Sequence, residues 1–143
     1  MGLVGASGGP VILVVDDSDL GRHVAGNILR RRFHVEEATN GREALEQAIR
    51  LGPALIVMDL VMPVMDGFVA TRCLRAHIET WRTPILAVTG LNTVEEHQRA
   101  IDAGCDLVLT RPFRPDTLLD AVDGLLSGRL VRFGARFVVA ARH

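Results

Sequence analysis

One pattern recurs five times along the 143 residues: a short apolar run, a turn, then an amphipathic stretch. Val11 to Val15 reads as a buried strand, and the segment from about Asp19 to Arg31 as a helix with Leu20, Val24 and Ile28 on one face. His34 to Ala38 alternates more weakly, as a half-covered edge strand does. Thr39-Asn40-Gly41 makes a turn, and the next helix places Ala44, Leu45, Ala48 and Ile49 inward until Gly52-Pro53 stops it. The third unit is Leu55 to Met58, a loop to Gly67 and a helix to about Ile78, and the fourth is Ile85 to Val88 and a helix to about Ala103, closed by Gly104. The fifth joins Leu107 to Leu109 to a helix with Pro115 in its first turn and Leu118, Leu119, Val122, Leu125 and Leu126 as its buried stripe. Five strands alternating with five helices predict a doubly wound α/β fold, a parallel sheet with helices on both faces and right-handed crossovers.

Composition narrows what such a fold can do. At 143 residues and 48% hydrophobic, the chain has apolar material for one core, and a second folded module is not expected. A net charge of -1 gives no basic face for nonspecific nucleic-acid binding, so DNA contact is not expected. Cys73 and Cys105 lack metal-ligand spacing and read as small buried hydrophobes in a reducing compartment. His23, His34, His77, His97 and His143 are scattered and read as surface or packing residues. Met1 to Pro10 carries no positive charge and lacks a signal-peptide pattern, and no segment is long and apolar enough to span a bilayer. A soluble, cytoplasmic protein is expected.

The chemistry collects where the strands end. Asp16-Asp17 follow the first run directly and Asp59 follows the third. Read singly, the pair caps a helix and Asp59 starts a turn. Read together, they bring carboxylates side by side, whose mutual repulsion raises their pKa values unless a positive charge sits among them. Magnesium, a hard cation usually held by one or two carboxylates plus phosphate oxygens, supplies that charge and points to phosphate chemistry. In open α/β folds ligands gather at the carboxyl ends of the strands. Asp17, Asp59, Thr89 and Arg111 all fall at those ends.

Asp16-Asp17-Ser18, the stretch from Asp59 through Met62-Pro63 to Asp66-Gly67, Thr89-Gly90 and Arg111-Pro112-Phe113 together resemble the receiver domain of two-component response regulators. The similarity covers about Val11 to Leu126. It implies a flavodoxin-like (βα)5 three-layer sandwich with strand order 2-1-3-4-5. It also implies that Asp59 is the phosphoacceptor, taking a phosphoryl group from a histidine kinase or a histidine phosphotransfer protein. Asp17 and Asp59 would then bind Mg2+ directly, Asp16 through water, with the Val61 backbone carbonyl completing the set. Thr89 would donate a hydrogen bond to one phosphoryl oxygen and Arg111 would pair with another. Gly90 would leave the backbone room to move, and the Arg111-Pro112 bond would be cis, as is usual for that turn. The signal would pass by binding a downstream protein partner.

Two departures from the family pattern bear on switching. Arg111 stands where the family has lysine, in a chain whose 16 basic residues are all arginine. A planar guanidinium prefers forked contacts, whereas an ammonium is a compact point charge, so a fork onto Asp59 would slow phosphorylation or weaken its signal. Val108 stands where many receivers have an aromatic residue that swings inward, and valine is too short to do so. Three readings follow: a phosphorylatable receiver; a receiver-like interaction module whose switching is impaired or independent of phosphorylation; and a phosphohydrolase on a similar sheet. The last needs a second acid two positions after the nucleophile, where this chain has Val61. Self-phosphotransfer and autodephosphorylation would be the only catalysis.

Outside the receiver-like segment 11–126, residues 1–10 are rich in glycine and small residues and are expected to be disordered. In residues 127–143, Leu130, Phe133, Phe137 and Val138 share one helical side and Arg129, Arg132 and Arg136 another. That pattern suits a helix covering its own domain, a partner or homodimer contact, or an acidic surface, while Val138 to Ala141 also suits an extended segment.

Overall fold

The computed structural model describes residues 10–128 together with 130–133 and 136–139, the last two segments as backbone only. Five units follow one another: β1 (Val11–Val15) and α1 (Asp19–Leu29); β2 (His34–Ala38) and α2 (Gly41–Leu51); β3 (Leu55–Asp59) and α3 (Gly67–Ala76); β4 (Ile85–Thr89) and α4 (Val94–Ala103); β5 (Leu107–Thr110) and α5 (Pro115–Leu126). All five strands are parallel, in the order β2-β1-β3-β4-β5.

The alternation of side chains along each strand divides the core into two layers. Leu13, Val15, Ile56, Met58, Ile85 and Ala87 face α2, α3 and α4, whereas Ile12, Val14, Leu55, Val57, Leu86 and Val88 face α1 and α5. The central strands are buried on both sides, which is why β1, β3 and β4 are continuous apolar runs. Each fully buried leucine or isoleucine there contributes about 2 kcal/mol by removal from water.

Helix ends follow side-chain chemistry. Ser18, Asn40, Asp66 and Thr93 each accept a hydrogen bond from a backbone N–H in the first turn of α1, α2, α3 and α4, and Pro115 opens α5. Gly52 and Gly104 close α2 and α4 in the left-handed conformation.

At the amino ends of the strands, Arg75 of α3 gathers the connecting loops. Its Nε donates to the Gly104 carbonyl at 2.9 Å, Nη1 to the carbonyls of Trp81 and Thr83 at 3.0 and 2.7 Å, and Nη2 to Asp106 at 2.8 Å. The same Asp106 oxygen accepts the Ile85 N–H at 2.8 Å. Thus α3, the approach to β4 and the turn into β5 share one hub.

Two expectations need correction. The α1 stripe faces the core only at Ile28, because the first two turns of the helix border the open cavity beside Asp16 and Asp59: Leu20 is 71% and Val24 46% exposed. Ile49 of α2 is 39% exposed, and Leu51 takes the buried position instead. Within the tail, whose structure the sequence leaves open between helix and extended chain, residues 130–133 and 136–139 form an antiparallel pair, β6 (Leu130–Phe133) and β7 (Arg136–Val139), with Leu130 opposite Val139. Their β-branched and aromatic residues favour the pleated form over a helix. The segment expected to be disordered lies, apart from Pro10, outside the described residues.

Candidate functional site

β1, β3, β4 and β5 end side by side, in the registers Val15 with Met58, Asp59 with Val88 and Thr89 with Thr110. Asp16, Asp59, Thr89 and Arg111 therefore meet at one rim. Asp16 and Asp59 are 3% and 5% exposed, Thr89 is fully buried, and Asp17 stands in solvent.

Close packing fixes the carboxylates. Asp16 accepts the Ser18 N–H at 2.9 Å through Oδ1, and Arg22 donates to the Asp16 carbonyl at 2.8 Å. A Cβ on Gly21 would lie 2.1 Å from Asp16 Oδ2, so only glycine lets α1 start this close to the carboxylate. Likewise, a Cβ on Gly67 would lie 2.2 Å from the Asp59 carbonyl oxygen, which is how α3 starts against the end of β3. Asp59 Oδ1 accepts the Val61 N–H at 3.2 Å, while the Val61 side chain is 59% exposed. Val64, at the crown of this loop, has a φ of 69°, a left-handed conformation that a β-branched residue rarely adopts. The Arg111-Pro112 bond is cis, as expected.

Arg111 behaves differently from the expected fork onto the acceptor. Its Nη2 lies 2.7 Å from Asp16 Oδ2, and its Nη1 lies 3.7 Å from Asp59 Oδ1. The guanidinium thus spans both carboxylates and holds Asp16 more closely. Even so, burial pushes the Asp59 carboxyl from 3.8 up to about 7, with the neighbouring Asp16 adding to the rise against the Val61 N–H and Arg111, which lower it.

One oxygen from each of Asp16, Asp17 and Asp59 lies within 4.8 Å of the other two. An all-oxygen set of hard, anionic donors, two of them buried, fits a hard divalent cation such as Mg2+.

Beside the carboxylates a cavity of about 500 Å3 opens between α1 and the turn that follows β5, lined by Asp16, Leu20, Val24, Asp59, Arg111 and Phe113 among others. On the opposite flank, Thr89 Oγ1 accepts the Leu91 N–H at 3.0 Å, and His97 of α4 reaches both Leu91 and Thr110. A Cβ on Gly90 would meet nothing within 4 Å. Val108 is half-buried and packs with Leu91 against the core. Gly21, His97 and the exposed apolar edge of α1 escaped the sequence reading. A histidine one turn into the helix after Thr89-Gly90 was the available signal for His97.

Fold and rim together define a flavodoxin-like α/β protein with an acidic site at the carboxyl ends of its strands. The chain belongs to the response regulator receiver domain family, whose model matches residues 12–123. It is 34% identical over 122 residues to the chemotaxis protein CheY of Halobacterium salinarum, covering 81% of this chain and 96% of that one. It is also 34% identical over 138 residues to the DNA-binding dual master transcriptional regulator RpaA of Synechocystis, covering 94% of this chain but only 54% of the regulator's length. Among solved structures it resembles the receiver domain of a sensor histidine kinase from Pseudomonas aeruginosa, at 30% identity and a TM-score of 0.79, covering 83% of this chain and 98% of that one. That receiver has a magnesium ion coordinated in its active-site cleft. This chain is therefore a two-component signalling module, and no helix among its described residues is long and apolar enough to cross a membrane.

Proposed function

We propose that Asp59 accepts a phosphoryl group from a histidine of a kinase or phosphotransfer protein and that the chain then signals by binding a protein partner. The observation that carries this reading is the position of Asp59: buried, at the end of the central strand β3, between Asp16 and the hydroxyl-bearing end of β4. The receiver unit is taken as 11–126, which contains the matched 12–123.

In the transfer, a carboxylate oxygen of Asp59 attacks phosphorus as the phosphorus–nitrogen bond to the donor histidine breaks. The protein's task is positioning and neutralisation of charge on the equatorial oxygens. Arg111 can shift from Asp16 to one such oxygen, and the Thr89 hydroxyl has a proton to give another. Bound magnesium, held by Asp17, Asp59 and the Val61 carbonyl with Asp16 through water, would supply the remaining charge. Leu20 and Val24 offer an exposed apolar edge beside the acceptor cavity, suited to an apolar face of a protein donor rather than to nucleic acid. Two free cysteines suit a reducing, cytoplasmic setting.

A second reading, an interaction module with impaired switching, draws support from Arg111, which holds Asp16 at 2.7 Å, and from Val108. Intact mass after incubation with magnesium and a small phosphodonor separates the two. One added phosphoryl group, absent from Asp59→Asn, establishes the acceptor. No adduct in the natural chain, with one restored by Arg111→Lys, establishes the impaired module.

A further inference from the structure

His97 links three elements on the flank of the site away from Arg111. Its Nε2 lies 2.8 Å from the Leu91 carbonyl oxygen and 3.2 Å from Thr110 Oγ1. A carbonyl can only accept, which assigns the proton to Nε2 and makes the Thr110 hydroxyl oxygen a second acceptor of that N–H. The other side of residue Leu91 faces the site: its N–H donates to Thr89 Oγ1 at 3.0 Å. An unbroken chain of contacts therefore runs from the buried Thr89 hydroxyl through Leu91 to the imidazole, and from there to α4 and the end of β5.

We infer that His97 is a positioning residue that transmits the state of Thr89 to the α4–β5 surface, a task for which Val108 is too short. The inference rests on the phosphoacceptor reading of Asp59. To donate to a phosphoryl oxygen on Asp59, Oγ1 of Thr89 must be drawn toward β3. The Leu91 N–H then follows its acceptor or loses it, and the open space around Gly90 lets the loop follow. As residue Leu91 moves, its carbonyl pulls on His97 on α4, while its side chain shifts against the core on which Val108 also packs. The imidazole thus converts a hydroxyl displacement in the interior into a displacement of the first turns of α4.

The test uses the full chain with beryllofluoride and magnesium, reading bound fluoride by 19F NMR and backbone amide shifts by 15N–1H correlation. In the natural chain the shifts should extend from Asp59 and Thr89 through Leu91 to His97 and Thr110. His97→Leu removes the donor and should cut the shifts over 94–101 and 107–110 by half or more, with fluoride still bound. His97→Gln, whose amide N–H can reach the Leu91 carbonyl, should restore most of them. Bound fluoride with an undiminished spread in His97→Leu, or a loss that His97→Gln does not repair, would overturn the relay and leave the acceptor reading intact. No bound fluoride in any of the three chains would overturn the acceptor reading and the relay with it.

Discussion

Replacing Asp59 with asparagine should stabilise the protein, and by an amount that grows with pH. Burial among other acids raises the Asp59 carboxyl from 3.8 to about 7. At about 1.4 kcal/mol per tenfold, that gap is worth about 4 kcal/mol of native stability. Below pH 3.8 the carboxyl is protonated in both states and the effect vanishes. Between 3.8 and about 7 the unfolded chain releases the proton while the folded chain keeps it, so stability falls as pH rises. Above about 7 both states are ionised and the penalty levels off. Asparagine retains an oxygen to accept the Val61 N–H and carries no charge. In urea unfolding with a chelator present, Asp59→Asn should therefore exceed the natural chain by about 2 kcal/mol at pH 5 and about 4 kcal/mol at pH 8. Added magnesium should narrow the gap at pH 8, because the ion binds more tightly to, and so stabilises more, the chain that retains the carboxylate. A gap that is equal at both pH values, or a variant less stable at pH 8, would refute the reasoning.

Three further outcomes follow from the same geometry. Arg111→Lys gives up the close pairing with Asp16, so its phosphorylation rate with a small donor should rise about tenfold, equivalent to about 1.4 kcal/mol, as read from the time course of intact mass. Val64→Asn relieves a β-branched residue from positive φ and should raise unfolding stability by about 1 kcal/mol in urea titration, with no change in metal affinity. Gly21→Ala forces a Cβ against Asp16 Oδ2 and should weaken Mg2+ binding about tenfold by calorimetry, while Gly26→Ala, on the same helix but away from the carboxylate, should leave that affinity unchanged.

Strands buried on both faces write themselves into sequence as unbroken apolar runs, and all five were legible, β2 as an edge strand included. The acidic residues were legible for a related reason, since each directly follows such a run. What escaped was set by long-range geometry. Arg111 and Asp16 are 95 residues apart, and which carboxylate the guanidinium holds depends on how β5 ends beside β1 and β3. The α1 stripe failed because periodicity reports one face of a helix, not whether that face meets core or, as at Leu20 and Val24, an open cavity. His97 looked like any scattered histidine until folding brought Leu91 and Thr110 to it. In the segment after α5, apolar residues satisfy helical and strand spacing alike, and β-branched content was the better guide.

The Arg75 hub gives the molecule two unlike poles. A guanidinium has five N–H groups, so one residue can hold the three carbonyls and the carboxylate that meet there; an ammonium has three and would leave one of them orphaned. With the loops that enter β4 and β5 tied to α3 in this way, that end of the sheet is braced like a plinth, while the acidic site lies at the opposite crown. We expect a partner that grips the braced end to meet the same surface whether or not Asp59 carries a phosphoryl group, and so to act as a tether, whereas one that grips the crown could read the message.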